Sequence, residues 1–387
     1  MKHTPIYIDN YDCLTPAGRG VDSVMRSLFA GRTELTSTEP IAQGSLPFSL
    51  HDTLQFLTSE KSLREHDPLT LMGVMVGRSL SSGLQNCSTT GLIVGSSRGP
   101  TQTLEKSFAE FSKGVCLKPS VSPTSTASGI SSAIARDLKL GGPSFSLSAA
   151  CSTGLYALLQ GIGSLKAGLC DDMIVGGVEA ANTDFTFEML RSARVLNTVL
   201  NEDFPCRPGS DDRRGMVLSE GAALLHLTSE QSARSKASVI GWGAANESGT
   251  LTGVSENGEA LAHAIHNALQ VAGIAPDSVD LIVGHGAGTL KGDKAEAAAY
   301  RSVFGAEARP PLVWHKWCVG HMLGASAALS VMLAVEHLER QELSPHPYFA
   351  DGQAMFAGKH LVSSKIALIT SMGFGGSACA LLVKKLS

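Results

Sequence analysis

The chain has 387 residues, of which 43% are hydrophobic and 17% charged, and its formal net charge is −4. This composition is typical of a globular protein with a large core, and the absence of a long basic run argues against a nucleic-acid partner. The sequence contains neither a signal-peptide apolar core nor an apolar run of membrane-spanning length, so we expect a cytoplasmic protein. The eight cysteines form no C-x-x-C pair, which predicts free thiols.

Short apolar runs alternate with longer helical patterns, which is typical of an α/β protein. In chain order, strands are predicted at 6–8, 91–94, 145–148, 173–175, 222–227, 239–243, 281–283, 366–371 and 379–383. Helices are predicted at 21–30, 126–138, 152–167, 258–272, 293–304 and 325–338. The polar stretch 228–236 separates two halves, 1–230 and 231–387. In each half a strand leads through small residues into a long apolar helix, and a duplicated fold would explain this.

The first chemically informative element is the turn that contains Cys151. The predicted strand before it ends in small residues, and an apolar helix follows from Ser152. Cys151 would therefore lie at a helix N-terminus, where unpaired amides and the macrodipole favour a thiolate. Ala150 and Gly154 leave room for a substrate beside the sulfur. The alternative is a cysteine that only packs between strand and helix.

Two histidines follow in the second half of the chain. His285 comes directly after the predicted strand 281–283, among glycines, and strand ends are where open α/β sheets place their chemistry. His321 precedes the helix 325–338, where desolvation and the helix N-terminus should keep the imidazole neutral. Lys316 either orients a neighbouring imidazole or is a solvated surface charge. No third ligand lies at metal-like spacing, so we do not expect zinc.

Two further turns contain glycine. The turn 373–376 exposes backbone amides, and one of them beside the Cys151 amide would form an oxyanion hole; a plain turn between strands is the alternative. The segment 95–99 formally fits the G-x-S-x-G pattern of serine hydrolases with Ser97 as nucleophile, although Pro100 falls where the helix should continue. A phosphate-binding P-loop pattern is absent from the sequence.

Together these motifs resemble those of the elongating β-ketoacyl synthases, a family with the thiolase fold. Residues 150–154 match the family's A-C-[SA]-x-G, and residues 285–289 match its H-G-T-G-T with Ala287 in place of the first threonine. Residues 316–325 match K-x-x-x-G-H-x-x-G-A, and residues 373–376 match G-F-G-G. Residues 207–221 resemble R-P-F-D…R-D-G-F-V-x-G-E-G. The resemblance therefore spans nearly the whole chain in the right order.

This resemblance implies a five-layer αβαβα fold and a decarboxylative condensation. Cys151 would accept an acyl group from an acyl carrier protein, and the amides of Cys151 and Phe374 would hold the oxyanion. His285 and His321 would stabilise the enolate formed as the malonyl donor loses carbon dioxide. Lys316 would position His285.

The resemblance also implies how substrates and partners bind. Phe374, between Gly373 and Gly375, would gate the site, and Thr289 would contact the phosphopantetheine arm of the carrier protein. No metal or organic cofactor is implied, because the substrates arrive on that arm. The family implies a dimer, either a homodimer or a heterodimer with a chain-length-factor-like subunit.

Some positions depart from the family pattern. Ser330 replaces a glutamate, Arg214 replaces the acidic residue of R-D-G-F-V, and Ala378 replaces an asparagine. Because the catalytic trio is retained, we expect condensing activity, in a specialised type II polyketide or polyene pathway rather than housekeeping fatty-acid elongation.

The alternative is a non-catalytic chain-length-factor-type subunit, although such proteins typically lack the cysteine. A thiolase is disfavoured because Cys379 lacks the expected glycine two residues later. A starter-condensing synthase is disfavoured by His321, where such enzymes carry asparagine.

Overall fold

The computed structural model of the chain describes residues 5–38, 40–84, 86–247, 254–305, 310–349 and 363–386. The strands are β1 Ile6–Thr15, β2 Gly18–Arg19, β3 Gln43–Gly44, β4 Thr90–Gly95, β5 Ser144–Phe145, β6 Asp172–Glu179, β7 Leu218–Ser219, β8 Gly221–Thr228, β9 Ala237–Asn246, β10 Leu281–Val283, β11 Leu312–Val313, β12 Ile366–Met372 and β13 Ser377–Lys385. The helices are α1 Val21–Phe29, α2 Phe48–Leu57, α3 Pro68–Ser81, α4 Thr101–Ser112, α5 Val121–Thr124, α6 Ala127–Leu138, α7 Thr153–Lys166, α8 Asp184–Ser192, α9 Glu259–Ala272, α10 Leu290–Phe304, α11 Lys316–Val319 and α12 Leu323–Arg340.

The large sheet repeats one strand arrangement twice. Its strand order is β11-β10-β12-β13-β9-β1-β8-β6-β4-β5, with β2 beside β1. In the first half β4 pairs in parallel with β5 and β6, and β6, β8 and β1 then pair antiparallel. In the second half β10 pairs in parallel with β11 and β12, and β12, β13 and β9 then pair antiparallel. The predicted duplication is therefore confirmed strand by strand.

Helices cover both faces of each half of the sheet. α7 and α12 pack between the halves: α7 contacts β4 and β6 but also β13, and α12 contacts β6 and β8 as well as β10, β12 and β13. α3 and α6 cover the outer face of the first half, and α9, with α10 beside it, covers that of the second. This order confirms the five-layer αβαβα fold. α12 lies in the central layer, so both of its faces are buried, and this explains why the helix is apolar almost all round.

Several elements differ from the sequence-based expectation. Helix α3 was not predicted because most of its residues from Leu69 to Leu80 are buried, so it lacks the polar face that reveals a helix in sequence. Helices α2, α4 and α8 were also missed. The strand expected at 145–148 is only Ser144–Phe145, because the chain already turns toward Cys151.

The two halves are joined by pairing between β1 and β9, which makes one continuous sheet. The division into 1–230 and 231–387 stays a prediction.

All eight cysteines are unpaired, as expected. Among the described helices, none combines the length and apolar character that a membrane crossing needs. The described residues contain no cluster of three or more metal-ligating side chains.

Candidate active site

The turn before α7 presents Cys151 in a constrained conformation. Ala150 has a φ of 49°, in the left-handed region that residues with a Cβ atom rarely adopt. Thr153 stabilises the turn, because its hydroxyl accepts a hydrogen bond from the Ala149 amide at 2.8 Å and donates to the Ala150 carbonyl at 2.6 Å. Such local strain persists only where surrounding contacts hold it, and it is typical of functional turns.

Three serine hydroxyls bind the Cys151 turn to the end of β12 and the start of β13. Ser371 donates to the Cys151 carbonyl at 3.2 Å, and Ser377 donates to the Ala149 carbonyl at 3.3 Å. Ser152 donates in the opposite direction, to the Ser377 carbonyl at 3.4 Å. The strand ends on both sides of the glycine turn are therefore held against the Cys151 turn, although about 220 residues separate them in the chain.

The amides of Cys151 and Phe374 both lie within hydrogen-bonding reach of the Cys151 sulfur, and both favour the thiolate. Burial nevertheless raises the pKa of the Cys151 thiol to about 11, and this effect exceeds the opposing influence of the Lys316 charge and the two amides. The resting sulfur is therefore a thiol at neutral pH, whereas the helix position alone suggested a thiolate. Two backbone amides directed at one sulfur are donors of the kind that an oxyanion hole uses.

The two catalytic-motif histidines lie side by side. The ring centroids of His285 and His321 are 5.5 Å apart, at an interplanar angle of 80°. Burial, with a smaller contribution from the Lys316 charge, holds the pKa of both imidazoles well below the usual value. His321 Nδ1 lies 3.0 Å from the Ser326 hydroxyl, while its Nε2 has no hydrogen-bond partner among the described residues. His321 is thus a neutral imidazole with one nitrogen available to a ligand.

Lys316 is buried rather than solvated. Its ammonium group donates a hydrogen bond to the His285 carbonyl, and burial lowers its pKa to about 8. Glu296 in α10 holds the same loop from the other side, because its carboxylate accepts from the amides of His285 at 2.5 Å and Gly286 at 2.8 Å. Sequence reasoning missed Glu296, although an acidic residue early in the helix that follows a His–Gly turn was a usable signal.

Most of the predicted residues share one cavity. Its volume is about 440 Å³, and its lining includes Cys151, His285, Thr289, His321, Gly373 and Phe374. Lys316 lies behind His285 and does not line the cavity. Gly375 occupies the exposed end of the turn with a φ of 83° and is likewise absent from the lining. The structure therefore brings Cys151, the two imidazoles and the Phe374 turn together.

Three exposed cationic residues also line this cavity, and the sequence had suggested a binding role for none of them. They are Arg194, Arg214 and Lys291. Arg214, which stands where the family motif has an acidic residue, lies 3.5 Å from Glu202. An exposed cationic rim next to an apolar interior favours a ligand with an anionic group near the cavity entrance.

The serine of the G-x-S-x-G segment has a different environment. The Ser96 hydroxyl and the Ser97 amide both donate to the Glu179 carboxylate, each at 2.8 Å. In the part of the chain that the structure describes, no hydrogen bond joins the Ser97 hydroxyl to a histidine. The segment is a turn organised by a buried carboxylate rather than a nucleophile with an adjacent base.

A duplicated thiolase-like fold with a cysteine and two neutral histidines in one cavity defines a condensing enzyme. The family model described as "Beta-ketoacyl synthase, N-terminal domain" matches residues 3–233, and that for the C-terminal domain matches residues 236–350. The chain belongs to the β-ketoacyl synthase family and is an enzyme of the acyltransferase class. This assignment confirms the resemblance and rules out the serine hydrolase alternative.

Relatives and solved structures are similar over the whole chain. The 3-oxoacyl-[acyl-carrier-protein] synthase 2 of Vibrio cholerae is 28% identical, with 100% of both chains covered. A type II polyketide acyl-carrier protein in complex with its ketosynthase gives a TM-score of 0.86 at 22% identity, covering 99% of this chain and 100% of that one. The ishigamide ketosynthase/chain length factor gives 0.87 at 23% identity with the same coverage. At these identities the two structures establish the fold.

Proposed function

We propose that this protein is a β-ketoacyl-[acyl-carrier-protein] synthase that condenses an acyl group with a malonyl unit, each carried by an acyl carrier protein. The observation that carries the proposal is the meeting of the Cys151 sulfur, two neutral imidazoles and two convergent amides in one cavity. The name of the Vibrio cholerae relative supports the carrier-linked substrates. The departures at Ser330, Arg214 and Ala378 favour a type II polyketide or polyene pathway over housekeeping fatty-acid synthesis.

The first step transfers the acyl group to the enzyme. The Cys151 sulfur attacks the acyl thioester carbonyl, whose oxygen becomes an anion held by the amides of Cys151 and Phe374. The bond between the carbonyl carbon and the carrier sulfur then breaks, and the carrier leaves as a free thiol with the proton that Cys151 loses. Pre-positioned amides stabilise the developing charge without having to reorganise.

The second step forms the new carbon–carbon bond. The bond between the malonyl α-carbon and its carboxylate breaks, carbon dioxide leaves, and the electron pair moves into an enolate whose oxygen accepts hydrogen bonds from His285 and His321. The enolate carbon attacks the acyl-Cys151 carbonyl, and the tetrahedral intermediate expels the Cys151 thiolate, which takes up one proton. Neutral imidazoles suit this role because each can donate one N–H. No metal or organic cofactor takes part in this proposal.

The cavity lining suggests how the carrier protein's arm enters. Phosphopantetheine carries a phosphodiester, and the exposed residues Arg194, Arg214 and Lys291 provide positive charge where that group would lie. Thr289, also in the lining, would contact the arm deeper in the cavity. Phe374, which is 36% exposed, would move when the acyl group occupies Cys151.

The proposal is tested by following the two half-reactions separately. The protein is incubated with acyl carrier proteins that carry acyl groups of different chain length. Its mass should then increase by that of one acyl group, and peptide mapping should locate the group on Cys151. The Cys151→Ala variant should fold normally, because only one sulfur atom is removed. It should accept no acyl group and form no product, because that sulfur is the proposed nucleophile. Acylation of that variant, or condensation by it, would refute the assignment.

His321→Ala separates decarboxylation from acyl transfer. The variant should load Cys151 nearly as wild type does but should release carbon dioxide from malonyl-carrier at least about 100-fold more slowly, as expected for a lost donor to a developing oxyanion. Radiolabelled malonyl-carrier provides the measurement. Equal losses in the two half-reactions would contradict the division of roles.

We further infer that the chain pairs with a second copy of itself through one face. α4 exposes an apolar row, with Leu104, Phe108 and Phe111 55%, 68% and 63% exposed, and Phe145 on β5 is 41% exposed. Among the described strands β5 is the last of the sheet, so one of its edges has no partner from that set. Edge-to-edge pairing of two such strands about a two-fold axis would cover this edge and the apolar row.

Light scattering on the purified protein tests this pairing. The wild type should have the mass of a dimer, and Phe108→Asp should shift it toward the monomer, whereas a charge placed on exposed Phe48 in α2 should not. A wild-type monomer that dimerises only with a chain-length-factor-like subunit would instead establish a heterodimer. If this chain were itself the non-catalytic subunit, Cys151 would remain unacylated in that heterodimer.

A further inference from the structure

Glu179 at the end of β6 is a buried carboxylate with no role in the mechanism above. Its side chain is 0% exposed and accepts four hydrogen bonds. The donors are the Ser96 hydroxyl at 2.8 Å, the Ser97 amide at 2.8 Å, the Arg98 amide at 3.1 Å and the Gly324 amide at 3.0 Å. Burial raises the pKa of Glu179, but four donors directed at both oxygens are the pattern of an ionised carboxylate.

These bonds connect two elements that are far apart in sequence. Ser96, Ser97 and Arg98 form the turn between β4 and α4, whereas Gly324 lies in the first turn of α12. The first amides of a helix have no partner within the helix, and a negative charge there is favourable. A Cβ atom on Gly324 would lie 2.8 Å from the Ser97 nitrogen and 3.0 Å from the Glu179 carboxylate, so only glycine permits this approach.

The first turn of α12 determines where His321 lies. Leu323, between His321 and Gly324, has a φ of 38°, in the left-handed region that is unfavourable for a residue with a side chain. The backbone of His321 is bound on its other side, since its amide donates to the Val217 carbonyl at 2.8 Å and its carbonyl accepts from the Ser219 amide at 3.1 Å. The strained turn is thus held at one end by the β7 region and at the other by Glu179.

Glu179 also acts on the nucleophile by charge. It lies close enough for its negative charge to raise the pKa of the Cys151 thiol, opposite to the effect of Lys316. The α7 helix that begins after Cys151 packs against the same turn of α12, because a Cβ atom on Gly154 would lie 2.9 Å from the Gly324 carbonyl oxygen. Geometry and charge therefore both connect Glu179 with Cys151 and His321.

We propose that Glu179 is a positioning residue, whose carboxylate fixes His321 relative to Cys151 by binding the first turn of α12 to the β4–α4 turn. This proposal rests on the condensing function proposed above. Glu179 touches neither substrate nor reacting atoms. It acts by holding a strained turn in place, and decarboxylation depends on that turn more than acyl transfer does.

Two substitutions separate the effect of the Glu179 charge from the effect of its side-chain length. Glu179→Gln keeps the size but removes the charge and leaves one accepting oxygen for four donors. Glu179→Asp keeps the charge but is one methylene shorter, so it cannot bridge the two turns. In both variants, carbon dioxide release from malonyl-carrier should fall about 10- to 100-fold, because small displacements of catalytic groups have effects of that size. Acylation of Cys151 should change much less.

A second measurement needs no carrier protein. The pH profile of Cys151 modification by iodoacetamide, followed by peptide mass spectrometry, should move to lower pH in Glu179→Gln, because a nearby negative charge is lost. It should stay in place in Glu179→Asp. Asp67→Asn is the matched control: Asp67 is also 0% exposed and accepts the amides of Leu69 and Thr103, but it caps α3. That variant should change stability without changing either readout.

Several outcomes would overturn the proposal. These are a wild-type ratio of decarboxylation to acylation in both Glu179 variants, equal loss of the two half-reactions, or an unshifted alkylation profile in Glu179→Gln. If neither variant folds, Ser96→Ala removes a single bond to the carboxylate and should still lower that ratio; an unchanged ratio counts against the proposal. If the wild type forms no condensation product, the proposed function fails, whereas the alkylation profiles still test Glu179.

Discussion

The reactivity of Cys151 is determined by groups that act in opposite directions. Enclosure by the protein and the charge of Glu179 raise the pKa of its thiol, whereas Lys316 and the amides of Cys151 and Phe374 lower it. A pKa of about 11 means that the amides at rest surround a protonated sulfur. Lys316 and the two amides interact more favourably with the site once negative charge develops on the sulfur or on a carbonyl oxygen. Stabilising the transition state more than the resting state is what catalysis needs.

The pH dependence of Cys151 alkylation follows from this balance. Only the thiolate reacts, and its fraction rises with pH up to the pKa, so the rate of modification by iodoacetamide should increase about tenfold per pH unit between pH 7 and 9. Lys316→Met should slow the reaction most below pH 8, where the Lys316 ammonium group is charged, because the loss of that positive charge raises the pKa of the thiol. Cys116 is exposed and should be replaced by serine beforehand. A plateau below pH 8 would contradict this prediction.

Some of these residues could be predicted from sequence and others could not. Cys151 and His285 each follow a strand, and His321 precedes a long apolar helix. All three lie in turns rich in glycine or alanine, and that local context is visible in the sequence. Glu179 and Ser371 act through contacts with segments that lie 81 or more residues away, so nothing near them in the chain indicates their role.

At the scale of elements, the site depends on the contact between α7 and α12. Gly154 in α7 lies so close to α12 that a Cβ atom there would be 2.7 Å from the Ala328 nitrogen. The two helices therefore meet backbone to backbone, and their first turns hold Cys151 and His321 at a fixed separation. A close-packed interior resists added volume, because neighbouring atoms must move to accommodate it.

Gly154→Ala should test this contact. The added methyl group should destabilise the protein by about 1–3 kcal/mol through overpacking and should also reduce condensation. Gly163→Ala in the same helix is the control: a Cβ atom there meets nothing within 4 Å, so the substitution should stabilise α7 by up to about 1 kcal/mol. Urea unfolding midpoints provide the measurement. Equal midpoints for wild type and Gly154→Ala would show that the helices are less closely packed.

The elements themselves differed in how far sequence could reveal them. α9 and α10 each have a polar face toward solvent, and their helical period is visible. α3 and the two-residue strands β5 and β11 are defined by what packs against them, which one sequence does not show. For the same reason, the five-layer arrangement could be expected from the family resemblance but not from the hydrophobic periodicity of the sequence.

At the scale of the whole molecule, the duplication gives the site its two sides. β5 leads to Cys151 and α7 in the first half, and β11 leads to α11, His321 and α12 in the second. Cys151 and His321 therefore occupy equivalent places in two copies of one arrangement. The two copies face each other across the central helical layer, which brings both residues into one cavity.

The antiparallel pairing of β1 with β9 and the contact between α7 and α12 also hold the halves together without the segment 229–236 that links them. A protease site inserted after Glu230, and then cut, should leave two fragments that co-elute and still condense substrates. Separately expressed pieces should reassemble into an active pair for the same reason. Dissociation of the cut protein under native conditions would mean that the peptide connection, rather than the shared sheet and helices, maintains the enzyme.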